Sequence, residues 1–130
     1  MLLLPGEELL LKDEEGYRFL HGGDETLLIC SGTCRRHLRP FACRIFPLFP
    51  VVTPGSGDSL NIRLITDPRG FSLCPLAYGR IPLHGIFRYL VRRATRILLE
   101  DPPIAAWLLK HSNLITALEE VRFSIESRQE

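Results

Sequence analysis

The sequence has no apolar stretch long enough to cross a bilayer, since every apolar run ends well short of the roughly 20 residues that a spanning helix needs. Its first eight residues also lack the basic and apolar segments of a secretory signal peptide. These two absences predict a soluble protein of the cytoplasm with no membrane partner. In that compartment structural disulfides are disfavoured, so clustered cysteines are more often metal ligands or redox thiols.

Recognisable catalytic and nucleotide-binding motifs are missing as well. The glycines on either side of Ser56 lack the lysine and the helix start of a phosphate-binding loop. Neither His84 nor His111 lies near a distinctive nucleophile motif, and no loop is typical of a methyl-donor site. The sequence therefore leaves open whether the chain is an enzyme, and it indicates no catalytic residue.

Lysine is scarce, with only Lys12 and Lys110 in the chain, and most of the positive charge is carried by arginines in the middle. Residues 26–99 contain eleven arginines and two acids, a net charge of +9, whereas residues 1–25 and 100–130 are acidic. Arginine forks suit carboxylates and phosphates better than lysine does. The basic centre is therefore either balanced by the acidic ends or directed at an anionic partner.

Three of these arginines, Arg88, Arg92 and Arg96, recur at four-residue spacing and predict one face of a helix. Such an anion-binding face would dock nucleic acid or an acidic protein, and binding to nucleic acid would weaken as the salt concentration rises. The alternative is a solvated helix face. No helix-turn-helix or RNA-binding signature accompanies the stripe.

The length of 130 residues predicts a single domain, with a cysteine-cluster region at 1–79 and a helical region at 80–130. Apolar runs flanking turn residues predict one β-hairpin from residues 17–20 and 26–29, and a second from 48–53 and 60–66. A helical turn is expected after Pro5, and a short helix is expected to open at Pro40 and end before Pro47.

Two longer helices should follow. Apolar residues recur at three- and four-residue spacing from Leu83 to Leu98, and Asp101 followed by Pro102 is typical of a helix start. The residues expected to face inward on these helices include Ile86, Leu90, Ile97, Leu114, Leu118 and Val121. The expected fold class is α+β: small hairpins that carry a cysteine cluster, backed by a C-terminal antiparallel helical hairpin.

Four cysteines are spaced as Cys30-x3-Cys34-x8-Cys43-x30-Cys74, and three of them fall within fourteen residues. Four thiolates can hold zinc or an iron–sulfur cluster, and arginines directly after two of these cysteines favour the thiolate form. Spacing alone leaves open that the cysteines are small buried residues of the core. His37 is a candidate replacement ligand, because imidazole suits zinc; the alternative is a solvated loop residue.

The stretch of residues 34–48, CRRHLRPFACRIFPL, resembles the C…RPxxCRxFPF signature of the YkgJ-like family. Its members are zinc- or iron-chelating cysteine-cluster domains, and the flagellin lysine N-methylases are the best-known relatives. The RPxxCRxFP pattern is matched in full, at Arg39, Pro40, Cys43, Arg44, Phe46 and Pro47. The clear similarity covers about residues 3–75, including the Leu-Leu-Pro-Gly-Glu-Glu segment at residues 3–8, and does not extend to the helical tail.

The resemblance implies a ligand set of four cysteines, namely Cys30, Cys34, Cys43 and Cys74. It also implies that Arg39 and Arg44 offset thiolate charge and hold the loop as outer-shell groups. Lysine methylation by relatives need not transfer to this chain, because function lies in sites rather than in folds.

The chain departs from the family pattern at its start. Members usually open with a dense CxxCC-like group, whereas no cysteine precedes Cys30 here. We expect Met1 to lie inside a longer reading frame; the alternative is a site that has lost ligands.

The sequence thus predicts a cytoplasmic metal-binding protein that holds zinc or an iron–sulfur cluster through clustered cysteines. A competing hypothesis is a zinc-stabilised binding module whose arginine face docks nucleic acid or an acidic protein. A third is an enzyme that uses an iron–sulfur centre for electron or group transfer.

Overall fold

The computed structural model describes residues 1–71, 74–78 and 82–128, and it is α+β, as the sequence predicts. Its contacts divide the chain into two compact units, Met1–Phe46 and Pro47–Glu130. The prediction of a cysteine-cluster region at residues 1–79 and a helical region at 80–130 stays a prediction. The division between the two units follows the short helix that carries Cys43, so the second hairpin lies in the same unit as the C-terminal helices.

The first unit contains one hairpin and three short helical segments. Helix α1 spans Glu7–Leu11, strand β1 Tyr17–Gly22 and strand β2 Glu25–Cys30. A 3-10 turn at Arg36–Leu38 and helix α2 at Phe41–Ile45 complete the unit. The predicted hairpin is confirmed, with the tight turn at Gly23, whose φ of 62° favours glycine.

The core of the first unit is small. Leu3, Leu11 and Leu28 are buried together, and Tyr17 and Phe19 from β1 pack against them. An isolated bridge between Leu2 and Leu27 adds the N-terminal segment to the edge of the hairpin. The short helices α1 and α2, each with one buried residue, therefore depend on packing rather than on length, since isolated helices of five residues are unstable in water.

The second unit pairs a hairpin with two long helices. Strand β3 spans Leu48–Pro54 and strand β4 spans Leu60–Thr66, in an antiparallel register that places Leu48 opposite Thr66. Turns at Pro68–Gly70 and Pro75–Tyr78 lead to helix α3, Gly85–Leu98, and helix α4, Pro102–Glu126. Asp101 caps α4 as predicted, because its carboxylate accepts a hydrogen bond from the Ile104 N–H at 3.2 Å.

The core of this unit lies between β3 and α4. Phe49, Val51 and Ile65 pack on Ile115, which is fully buried. A hydrogen bond also joins β3 to α4: the Val52 N–H donates to the Ser112 hydroxyl at 2.7 Å, and both residues are almost completely buried. Most of the contacts of α4 are with β3, so the sheet rather than α3 supports this helix.

Six helix residues that the helical periodicity predicts to face inward are exposed. They are Ile86, Leu90 and Ile97 on α3, and Leu114, Leu118 and Val121 on α4. A two-stranded sheet is narrow, and it covers only the strip of each helix that contains residues such as Val91 and Ile115. The apolar pattern of both helices is wider than the surface available to bury it. No helix in the described ranges is both long enough and apolar enough to traverse a membrane.

Candidate functional site

Three of the four cysteines lie in the first unit, each on a different element. Cys30 is the last residue of β2 and is exposed, Cys34 lies in the following loop, and Cys43 lies in the middle of α2. Cys34 and Cys43 are half-buried, and all four cysteines are free thiols. The chain thus brings together side chains from a strand end, a loop and a helix.

Tyr17 lies beside two of the three thiols, those of Cys30 and Cys34. It faces Cys30 across the hairpin, and its hydroxyl donates to the Leu38 carbonyl at 3.1 Å. The pKa of Tyr17 is raised to about 12, first by burial and then by a hydrogen bond with Cys34 and the negative charges of Cys34, Cys30 and Cys43. The phenol therefore stays protonated and shares its environment with all three thiols.

The other two thiols also affect the pKa of Cys43. Burial raises the pKa of the Cys43 thiol above its ordinary value, and the charge of Cys30 and then that of Cys34 add to the effect. The neutral form of the Cys43 thiol is therefore favoured while no cation is bound, because its thiolate would be poorly solvated and repelled by neighbouring negative charge. A metal cation would reverse that preference, since it deprotonates the thiols that coordinate it.

Glu7 fixes the helix that carries Cys43. Its carboxylate accepts one hydrogen bond from the Leu4 N–H at 2.9 Å and another from the Phe41 N–H at the start of α2. A carboxylate at the first turn of a helix satisfies a donor that has no partner within the helix, and it complements the helix dipole. One side chain thus ties the N-terminal segment to α2.

Arg44 fixes the loop between Cys34 and Cys43. Its Nε donates to the Arg39 carbonyl at 2.7 Å, and its Nη2 donates to the His37 carbonyl at 2.6 Å. Arg44 therefore holds the loop by two hydrogen bonds, and Arg39 contributes a backbone carbonyl to one of them. That Arg39 and Arg44 offset thiolate charge beside a metal stays a prediction.

The start of the same loop is anchored by an ion pair. Arg35 Nη2 lies 3.0 Å from Glu14 Oε2, and the Glu14 side chain is mostly buried. Cys34 directly precedes this arginine, so the pair restrains the loop next to the thiol.

His37 is exposed and lies on the wall of a cleft of about 320 Å³. The cleft is also lined by Glu7, Arg39, Phe41 and Arg44. The prediction that His37 replaces a cysteine ligand stays a prediction.

Cys74 belongs to the second unit, where it is half-buried. Its N–H donates to the Gly70 carbonyl at 3.1 Å, and its carbonyl accepts from the Ala77 N–H at 2.9 Å. Its assignment as the fourth ligand therefore stays a prediction from sequence.

The donor set suits zinc or an iron–sulfur cluster, because both prefer thiolate sulfur. Among the residues that the structure describes, no group of three or more His, Cys, Asp and Glu side chains is arranged to hold a metal ion. Binding by Cys30, Cys34 and Cys43 would thus require their side chains to move closer together than they are.

The arginine stripe is placed as the sequence predicts. Arg88, Arg92 and Arg96 lie on α3, and all three residues are exposed. Helix α3 contains no acidic residue. These positions give the second unit a basic face.

Two residues of the thiol site were missed by sequence reasoning. The Tyr17 position follows from counting the hairpin register back from Cys30, which places the two residues opposite each other. Glu7 lies within the N-terminal segment that supports the family resemblance, but nothing local in the sequence indicates that it would reach Phe41, thirty-four residues away.

Comparisons with known proteins give no relative for this chain. No protein-family model matches it, and neither the curated proteins nor the solved structures contain a significant match.

Proposed function

We propose that this chain is a metal-binding protein of the zinc- or iron-chelating cysteine-cluster type, and that Cys30, Cys34 and Cys43 bind the metal. The observation that carries the proposal is the position of Tyr17, which lies opposite Cys30 across the hairpin and hydrogen-bonds with Cys34, while the charge of Cys43 also acts on its pKa. Thiolates at these positions would repel one another, and a bound cation would offset that repulsion.

The surrounding structure supports a site rather than a chance cluster. Glu7 holds the start of α2, and Arg44 holds the loop carbonyls, so two of the three cysteines are attached to restrained backbone. Hydrogen bonds that hold the groups around a metal in place commonly change metal affinity by about 10–100-fold. When bound, zinc would supply a structural crosslink, and an iron–sulfur cluster would supply electron-transfer chemistry.

We propose the cytoplasm as the compartment, because free thiols persist in reducing conditions. The four free cysteines support this assignment. Cys74 is the proposed fourth ligand on sequence grounds alone.

The test is metal analysis combined with a visible absorption spectrum on protein purified without oxygen. Iron with acid-labile sulfide and visible colour would identify a cluster, whereas stoichiometric zinc without colour would identify a structural site. Cys30→Ser, Cys34→Ser and Cys43→Ser should each lower metal content, and Cys74→Ser tests the fourth ligand. Protein without bound metal, with four thiols that titrate freely after reconstitution with zinc or iron and sulfide, would overturn the proposal.

A second candidate function is a binding module that uses the arginine face of α3. The observation that favours it is the exposure of Arg88, Arg92 and Arg96 on a helix without acidic residues. Binding to nucleic acid would weaken steeply as salt rises, because each phosphate that an arginine neutralises releases about one counterion. Triple substitution of these arginines by Gln should abolish binding to single- or double-stranded nucleic acid or to an acidic protein, while leaving the metal content unchanged.

A further inference from the structure

The cleft of about 320 Å³ in the first unit has no role in the proposed metal site, because none of the four cysteines lines it. Its volume lies at the lower end of the range of roughly 300–1,000 Å³ that is typical of small-molecule sites. Such sites combine apolar side chains with a few polar groups that fix the orientation of the ligand. The lining of this cleft contains both kinds of group.

The polar part of the lining is mainly basic. It consists of Arg39, Arg44 and the exposed His37, together with one acid. Neither arginine forms an ion pair with any acidic side chain that the structure describes, whereas Arg35 in the same loop is paired with Glu14. Two positive charges in the cleft therefore have no acidic partner in the first unit.

Hydrogen bonds within the protein position these arginines. Arg44 donates its Nε to the Arg39 carbonyl at 2.7 Å and its Nη2 to the His37 carbonyl at 2.6 Å. Both acceptors are neutral, so the bonds hold the guanidinium without cancelling its charge. Nη1 of Arg44 and the whole guanidinium of Arg39 have no acceptor in the described part of the chain, and they stay available to a ligand.

Glu7 is the one acid in the lining, and it limits the kind of anion that fits. Its two carboxylate oxygens accept from the Leu4 and Phe41 N–H groups, so it serves the backbone rather than the arginines. With two arginines, one glutamate and a neutral His37, the lining has a net charge of +1. A single negative charge matches this lining, whereas a doubly charged phosphate ester would be repelled more strongly by Glu7.

The rest of the lining is apolar and includes Leu10, Leu38 and Phe41. Leu10 is 79% exposed, and the other two residues are half-buried. An apolar group that covers these side chains would remove their surface from water, which favours binding. The cleft thus offers apolar contact beside two cationic forks.

We propose that this cleft binds a small organic carboxylate that carries an apolar group. Arg39 and Arg44 donate to the carboxylate, since a guanidinium fork matches its two oxygens, and the apolar group lies against Leu10 and Phe41. The volume of the cleft suits a small molecule rather than a macromolecular surface. The proposal goes beyond the metal site and does not depend on it.

A titration of the full chain with phenylacetate, followed by NMR chemical shifts, tests the proposal. Phenylacetate joins one carboxylate to one ring, and its dissociation constant should be on the order of millimolar for so small a ligand. The amide signals of residues 37–44 should shift. Phenylacetamide lacks the charge and acetate lacks the ring, so each should bind at least about tenfold more weakly. Phenyl phosphate should also bind more weakly than phenylacetate.

Two pairs of variants locate the site. Arg39→Gln should weaken phenylacetate binding at least about tenfold, and Arg36→Gln is its control, because Arg36 is an exposed arginine of the same loop that does not line the cleft. Leu10→Ala should weaken binding roughly fivefold. Leu9→Ala is the second control, since Leu9 is 72% exposed on the same helix and lies outside the lining. Both controls should bind like the unmodified protein.

All four substituted side chains are exposed, so the variants should keep the fold, and circular dichroism checks this. General attraction of anions to a basic surface would respond equally to Arg36→Gln and Arg39→Gln. Equal losses in those two variants, phenylacetamide that binds as tightly as phenylacetate, tighter binding of phenyl phosphate, or the absence of shifts at residues 37–44 would overturn the proposal.

Discussion

Replacing Glu7 with Gln tests how the thiol-bearing helix is held. The carboxylate of Glu7 accepts from the Leu4 and Phe41 N–H groups, whereas an amide offers one oxygen and turns an NH₂ group towards the second donor. Hydrogen bonds to a charged group contribute about 1.5–3 kcal/mol each. We therefore expect the free energy of local opening at α2 to fall by about this amount.

The assay is amide hydrogen exchange followed by NMR, which reports the opening free energy residue by residue. A reduction of about 1.5–3 kcal/mol corresponds to exchange at the Phe41 amide that is roughly 10–150-fold faster. Metal affinity should fall together with this protection, because Cys43 lies on the same helix.

Glu8→Gln is the matched control, since it removes the same charge from the neighbouring residue. The Glu8 carboxylate lies 2.8 Å from the exposed His21 ring, and exposed pairs contribute about 0–1 kcal/mol. If both substitutions accelerated exchange at Phe41 equally, or neither did, the assignment of Glu7 as the tie between the N-terminal segment and α2 would be wrong.

Three further outcomes are expected. Ser112→Ala should lower the free energy of unfolding by about 1–3 kcal/mol in urea titrations, because it leaves the buried Val52 N–H without its acceptor, while Ser124→Ala, at an exposed site on α4, should change it little. Alkylation of Cys43 in the metal-free protein should show a pH midpoint above that of an ordinary thiol, and bound metal should block the reaction. Tyr17 stabilises the fold in its neutral form, so its contribution to the free energy of unfolding should be complete below pH 10.0 and should disappear as the pH rises through about 12. Tyr17→Phe should remove this part of the loss of stability at high pH. An unchanged dependence of stability on pH would contradict the assignment.

Local sequence signals predicted most of the elements. Turn residues placed both hairpins to within a residue or two, and the Asp101-Pro102 pair marked the start of α4 correctly. These features depend on short-range geometry, such as a positive φ at Gly23 or an N-terminal cap, and therefore can be read from a few neighbouring residues.

Features that depend on distant partners were not predictable in the same way. The inward faces of α3 and α4 were overestimated at residues such as Leu90 and Val121, because helical periodicity does not report the width of the opposing sheet. The contact of Glu7 with Phe41 depends on how two separate segments pack. The thiol site was predictable in part. The cysteine spacing predicted that the loop after β2 carries the site, and the register of the first hairpin places Tyr17 opposite Cys30.

The hydrogen bonds of Arg44 determine when the loop between Cys34 and Cys43 becomes ordered. Because its guanidinium holds the His37 and Arg39 carbonyls by contacts within the protein, the loop acquires its shape when the chain folds. In zinc fingers, by contrast, the ion itself organises the backbone, and its removal unfolds the domain. On the proposed function, the backbone of this loop is preorganised, and only the thiol side chains close on the ion. A chelator should then extract the ion and leave the first unit folded, so that loading and release can proceed as repeated, reversible events on an intact scaffold.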